Sequence, residues 1–272
     1  MGYKLIAVDM DDTLLTHDKK ISEENIKALR LAHEKGIRIV ISTGRIYASA
    51  YSYSEVLGFK PFIIASNGAI IRDPDNRKLY ESVMDMNEIV QLIRISERYN
   101  TYYHFYSDTT VYTPEVSNKY EKYAEWNKLF SSFLKVDVKE IENPLVNVYK
   151  LNTSIVKYVI FNDDNNLIKI IRDDLGVKSN LNITSSYFNN IEIINKGVNK
   201  GNALKILGDY YNIDRSEMIA VGDSENDLEM VRYAGLGVAV DNAIDLLKSN
   251  ADFITKSNMD NGVAHVIEKY IL

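Results

Sequence analysis

The 272-residue chain contains no cysteine. That absence excludes disulfides, thiolate catalysis and cysteine-ligated metal, and it fits a reducing compartment. There is no long basic run and the formal net charge is −6, which argues against a nucleic-acid backbone as partner. Apolar runs are short: none could span a bilayer, and the N-terminal one is too short for a signal peptide. The expectation is a cytoplasmic protein with no membrane or nucleic-acid partner. What remains, 46% hydrophobic and 26% charged residues, is the composition of an ordinary globular protein, long enough for about two domains. No internal repeat or low-complexity linker is visible.

The chain is organised around Lys4-Leu5-Ile6-Ala7-Val8-Asp9-Met10-Asp11-Asp12-Thr13. Leu5 to Val8 reads as a strand buried on both faces, and it stops at three carboxylates, Asp9, Asp11 and Asp12. Like charges this close raise one another's pKa unless a cation sits among them. Oxygen ligands alone point to a hard ion, Mg2+ before Zn2+.

A helix is predicted over Ser22 to Lys35, with Ser22 as N-cap and Gly36 as the stop. Ile37 to Ile41 is a second buried strand ending at Ser42-Thr43-Gly44-Arg45, and Phe62 to Ala65 a third ending at Ser66-Asn67-Gly68. Ala69 to Arg72 and Lys78 to Tyr80 flank a hairpin turn at Asp73-Pro74-Asp75-Asn76. From about Ser82 the regular alternation is lost. Helices are expected over Glu88 to Tyr99, Glu115 to Lys128 and Asp164 to Leu175, and strands over Tyr102 to Tyr106, Thr110 to Thr113, Lys157 to Phe161, Leu181 to Ser185 and Ile191 to Ile194. The opening pattern resumes at Lys196-Gly197-Val198-Asn199-Lys200-Gly201 and continues through the strand Met218 to Val221 into Gly222-Asp223-Ser224-Glu225-Asn226-Asp227. The predicted fold is therefore α/β: a doubly wound, Rossmann-like parallel sheet over residues 1–82 and 190–272, with an α+β cap over 83–189 inserted in it.

In an open parallel sheet the ligand lies beyond the carboxyl ends of the strands. Asp9 and Asp11, Thr43 and Gly44, and Asp223, Asn226 and Asp227 all follow directly on buried runs, so they should converge on one edge. Carboxylates around Mg2+, a hydroxyl, backbone N–H groups and one lysine make a receptor for a phosphoryl group. An aspartate beside a metal is also a competent nucleophile toward phosphorus.

The four motifs Asp9-Met10-Asp11-Asp12-Thr13, Ser42-Thr43-Gly44-Arg45, Gly197-Val198-Asn199-Lys200-Gly201 and Gly222-Asp223-Ser224-Glu225-Asn226-Asp227 resemble, in order and spacing, those of the haloacid dehalogenase-like hydrolase superfamily. The insertion between the second and third is similar to that of the Cof-type sugar-phosphatase branch, and Asp252 to Asn258 resembles the YidA-like members. The resemblance implies Mg2+-dependent hydrolysis of small phosphate monoesters, such as sugar phosphates, through an aspartyl-phosphate. Asp9 would attack phosphorus; Asp11 would protonate the leaving alcohol and then activate water. Met10 (through its N–H), Thr43, Gly44, Lys200 and Asn226 would bind the phosphoryl oxygens. Asp9, the Asp11 carbonyl and Asp223 would hold the metal, with Asp227 supporting. A phosphomutase and a non-catalytic metabolite-sensing module are the alternatives on this scaffold, and monomer and homodimer both stay open.

Asp12 departs from the family pattern, which has glycine there; aspartate tolerates a left-handed backbone next best, and its side chain is expected to point away from the phosphate. Arg45 reads equally as a substrate clamp or a carboxylate partner, Asn67 and Gly68 as site lining or an ordinary turn, and Glu192 as a cleft residue or a solvated one. The aromatic group Tyr102, Tyr103, His104 and Tyr106 is expected to form the cap's own core, and the tyrosines of Tyr112 to Tyr123 to serve a helix face.

Overall fold

The computed structural model describes residues 2–115, 120–130, 134–178 and 181–272. The described residues form two sheets. The first contains β1 (Leu5–Val8), β2 (Arg38–Ser42), β3 (Phe62–Ala65), β4 (Ile70–Arg72) and β5 (Lys78–Glu81). The second contains β6 (Tyr102–Tyr106), β7 (Thr110–Thr113), β8 (Asp137–Glu140), β9 (Lys157–Phe161), β10 (Leu181–Thr184) and β11 (Asn190–Asn195). The chain then returns to the first sheet as β12 (Met218–Gly222), β13 (Leu236–Ala239) and β14 (Phe253–Ile254).

The first sheet has the order β14-β13-β12-β1-β2-β3-β4-β5. It is parallel from β14 to β3, and antiparallel at β3/β4 and β4/β5. β1 lies at its centre because all four of its residues are apolar and can be covered on both sides. Ile6 and Val8 face a core shared with Ala28, Leu29, Val263 and Ile267, which come from the helices Glu23–Glu34 and Gly262–Tyr270. Leu5 and Ala7 face the opposite core, with Ala203, Leu204 and Leu207 of the helix Lys200–Tyr211. This period-two division between two helical layers is the doubly wound arrangement. Truncating a side chain such as Ile6 to alanine here would cost about 2–5 kcal/mol. Ser22 caps its helix as predicted, its hydroxyl accepting from the Asn25 N–H.

The second sheet runs β10-β11-β9-β6-β7-β8. One face packs on the helices Met86–Arg98 and Asn165–Lys178 through Ile89, Leu92, Ile93, Ile168 and Ile171. Tyr106, Val111, Val159 and Ile194, on the other face, join the core of the first sheet. The cap is thus seated on the parallel sheet by its own apolar face.

Two sequence expectations change. Residues 190–195, assigned to the core, form β11, which pairs with β9 and β10 in the cap sheet; an apolar run does not reveal which neighbour its backbone bonds will find. Of the helix predicted over Glu115 to Lys128, residues 116–119 lie outside the described residues, and the helix runs Glu121–Leu129. β8, which pairs parallel to β7, carries the sequence Asp-Val-Lys-Glu and has no apolar run to announce it. The two crossings between the sheets are tied side by side, the Asn195 amide donating to the Ser82 hydroxyl and the Val83 carbonyl.

Candidate active site

Asp9 emerges from β1 with its N–H bonded to the Val221 carbonyl of β12, and it is 5% exposed. Lys200 opens the helix Lys200–Tyr211, which Asn199 caps by accepting from the Asn202 N–H. The Lys200 ammonium is fully buried and donates to Asp9 Oδ1 at 2.5 Å and to Asp227 Oδ1 at 2.6 Å. The other Asp227 oxygen accepts from the backbone N–H groups of Asp223 and Ser224. Asp227 therefore orients Lys200 and the loop after β12. That loop needs Gly222, because a Cβ there would lie 2.5 Å from Asp227 Cβ. Asp223 in turn accepts from the hydroxyls of Thr13 (2.7 Å) and Ser224 (2.6 Å).

Asp9, Asp223 and Asp227 bring carboxylate oxygens within 4.8 Å of one another. A single buried lysine does not balance them. Burial, with the Asp227 charge added, pushes the Asp9 carboxyl well above its usual range despite Lys200. The same two causes push Asp223 up to about 6. Lys200 is raised, its desolvation outweighed by Asp227 and Asp9. An all-oxygen, over-acidic donor set of this kind suits a divalent metal ion, whose charge would supply what the lysine does not.

Asp11 stands apart from this group. It is gripped by Arg45, Nε to Oδ2 at 2.6 Å and Nη2 to Oδ1 at 2.7 Å, and by Lys19 at 3.0 Å. Burial alone would raise its pKa, but Arg45 and Lys19 together hold the carboxyl far below the usual carboxylate range. Of the two readings of Arg45, the structure takes the carboxylate partner. The guanidinium is itself covered by Trp126 of the cap, 4.4 Å from the ring centre, and by Tyr53 at 5.3 Å. The ionised Asp11 is the form a general base requires; protonating a leaving group requires the other form. Asp12 adopts the left-handed backbone, φ 58°, where a glycine would be at ease. Its side chain accepts from the Tyr187 hydroxyl of the cap at 3.1 Å. Met10 is fully buried, so it can reach the site only through its backbone.

At the end of β2, Thr43 is fixed by its N–H to the Ile64 carbonyl and by its own carbonyl to the Asn67 N–H. Its hydroxyl oxygen accepts from the Arg45 N–H at 3.1 Å, which leaves the hydroxyl proton able to donate. Gly44 is required by close approach: a Cβ would stand 2.8 Å from Asn67 Oδ1 and 3.2 Å from Lys157 Nζ. Asn67 and Glu192, both ambiguous from sequence, are buried in one polar seam between core and cap. Lys157 donates to the Gly44 carbonyl at 2.8 Å and pairs with Glu192 at 2.9 Å. Glu192 also accepts from Asn67 and from Ser186. Asn226 donates to Asn67 at 3.2 Å with one of its two amide hydrogens while also lining the cavity. Burial would raise the Glu192 carboxyl, but Lys157 and the hydrogen bonds outweigh it and hold it low.

Asp9, Asp11, Thr43, Gly44, Asp223 and Asn226 line one cavity of about 270 Å3. The cap contributes aromatic residues to the same lining: Tyr106, Tyr123, Trp126 and Phe161. Expected to fill the cap's interior, Tyr106 instead faces the cleft, as does Tyr123, expected on a helix face, while His104 stays in the cap, bonded to the Tyr106 hydroxyl at 2.8 Å. Lys157 was missed. The available signal was a lysine opening the apolar strand Lys157-Tyr158-Val159-Ile160-Phe161 and a glutamate inside Ile191-Glu192-Ile193, two charges with nowhere to go but each other.

Carboxylates, a buried lysine and a hydroxyl at the carboxyl edge of a doubly wound sheet, beneath an α+β cap, define a hydrolase class. The family model for haloacid dehalogenase-like hydrolases matches residues 6–267, and the chain belongs to that family. Its enzymatic class is phosphatase. The chain is 32% identical to Phosphatase YwpJ of Bacillus subtilis, covering 97% of this chain and 99% of that one. It is 31% identical to the 5-amino-6-(5-phospho-D-ribitylamino)uracil phosphatase YcsE of the same organism, over 99% and 96%. A solved haloacid dehalogenase-like hydrolase from B. subtilis superposes with a TM-score of 0.88 at 32% identity, covering 99% of this chain and all of the other. Among the described residues, no helix is long and apolar enough to cross a membrane.

Proposed function

We propose that the chain is a Mg2+-dependent phosphatase that hydrolyses small phosphate monoesters, sugar phosphates among them, through an aspartyl-phosphate on Asp9. The observation that carries this reading is the Asp9–Lys200–Asp227 chain of ion pairs beside Asp223, at the end of β1, with Thr43 lining the same cavity as Asp9. Asp9, the Asp11 carbonyl and Asp223 would hold the metal, which when bound neutralises charge on the phosphoryl oxygens.

An Asp9 carboxylate oxygen attacks phosphorus while the bond to the substrate alcohol breaks, and the alcohol leaves with a proton from Asp11. Water then attacks the same phosphorus, gives its proton to Asp11, and the bond to Asp9 breaks to release inorganic phosphate. Thr43 and the Gly44 and Met10 N–H groups would bind phosphoryl oxygens through both steps, with Lys200, which gives two of its three N–H bonds to Asp9 and Asp227, offering the third. The Arg45 fork suits Asp11 to the second step directly; the first needs the fork loosened, which movement of Trp126 with the cap would allow.

The test is phosphate release from a panel of small phosphate esters, with Mg2+ and with EDTA. Metal-dependent release supports the reading. Isomerised phosphate ester with no free phosphate would make the protein a mutase, and binding without turnover a sensor.

A further inference from the structure

Charge pairing around the cleft limits what the alcohol half of a substrate can be. Among the described residues that line the cavity, the cations are Lys19 and Arg45. Both are committed to Asp11. Two further lysines stand behind the wall, Lys157 at 1% and Lys200 at 0% side-chain exposure. Lys157 serves Glu192 and the Gly44 carbonyl, and Lys200 serves Asp9 and Asp227. The carboxylates on the cavity surface beyond the phosphoryl end are Asp12 at the rim and Glu192 on the cap side. A second anionic group would therefore find no unpaired cation among the described residues, and would lie near Asp12 and the Lys157-paired Glu192.

The remaining wall offers ring faces. Tyr106, Tyr123, Trp126 and Phe161, all from the cap, line the cavity, with Val159 of the same cap sheet. Arg45 occupies one face of Trp126, His104 stacks on Tyr106 and Tyr120 on Tyr123, so three of the four rings are held in place by neighbours. A cavity of about 270 Å3 lies just below the usual range for small-molecule sites, about 300–1,000 Å3, so the alcohol half is on the scale of a single ring. Glu192, Ser186 and Asn190 add hydrogen-bonding groups at one side.

From this pairing and this wall we infer that the cleft selects phosphate esters whose alcohol half is uncharged and carries a flat apolar face, and that it rejects esters bearing a second anion. The inference rests on the phosphatase reading above.

The experiment compares two near-isosteric esters that differ chiefly in charge at the far end, 4-carbamoylbenzyl phosphate and 4-carboxybenzyl phosphate, with Mg2+ present. The neutral ester is expected to have kcat/KM higher by at least about tenfold, a modest share of what juxtaposed like charges cost. Glu192→Gln should shrink that ratio, and Phe161→Ala should reduce the preference for the neutral benzyl ester over glycerol 1-phosphate. Equal or better turnover of the carboxylate ester overturns the inference while leaving the phosphatase reading in place. No phosphate release from any ester, including glycerol 1-phosphate, removes both. Should either variant fail to fold, the two-ester comparison on the wild-type protein decides alone.

Discussion

Arg45 holds both carboxylate oxygens of Asp11, at 2.6 and 2.7 Å, from a position fixed on its other side by Trp126 of the cap. One guanidinium thus links the seating of the cap to the ionisation of the residue proposed to handle protons. Lysine cannot reproduce this geometry, because it offers a point charge in place of a planar fork. Arg45→Lys should lower kcat by about 10- to 100-fold, the usual cost of losing a partner that orients a functional group. Weakening the pair also raises the Asp11 pKa, so the alkaline limb of kcat/KM against pH, set by the protonated Asp11 that the leaving alcohol needs, should move to higher pH. An unchanged rate and alkaline limb would show that the fork has no role in turnover.

The acidic cluster makes a prediction about stability without metal. The Asp9 and Asp223 carboxyls have folded pKa values above their ordinary ones, Asp223 at about 6. In that interval the folded state binds more protons than the unfolded state, so these groups make stability fall as pH rises from about 4 to 6. Metal-free protein should therefore lose part of its stability across that window as these carboxyls ionise. Mg2+ at pH 7 should restore it, by about 2.7 kcal/mol at a hundred times its dissociation constant. Chemical denaturation at pH 5 and pH 7, with Mg2+ and with EDTA, measures both; indifference to Mg2+ at pH 7 would contradict the assignment of the cluster as a metal site.

Gly44→Ala places a methyl group 2.8 Å from Asn67 Oδ1 and 3.2 Å from Lys157 Nζ. The seam is buried and cannot yield at both points, so the substitution should cost about 1–3 kcal/mol, as overpacking commonly does. It should also raise KM, because the displaced Gly44 N–H is a proposed phosphoryl donor. Thermal unfolding and steady-state kinetics on the same preparation separate the two effects.

The strands and motifs of the core were legible because each states its own reason. Leu5 to Val8 has no polar face, so it must be central, and the carboxylates after it must lie at the sheet edge. Asp12 stands where the family pattern has glycine, and aspartate tolerates a left-handed backbone next best; it has φ 58°. Partnerships across long separations were not legible. Arg45 could meet substrate or Asp11 with equal chemical sense, and Lys157 meets Gly44 and Glu192 only because β9 and β11 are neighbours in a sheet seated on β2. The aromatic residues show the limit most plainly. Tyr103 and Tyr106 lie in one strand with similar surroundings in sequence, yet Tyr103 packs inside the cap and Tyr106 faces the cleft. An odd separation along a strand sends side chains to opposite faces, but which face meets the core is decided by the docking of the whole cap.

The central claim is covalent chemistry at Asp9. Wild-type protein mixed with a 32P-labelled ester in Mg2+ and quenched in acid within the first turnover should retain label on the peptide containing Asp9, and Asp9→Asn should retain none and release no phosphate. Sustained phosphate release by a clean Asp9→Asn preparation, or label carried by a different residue, would contradict it.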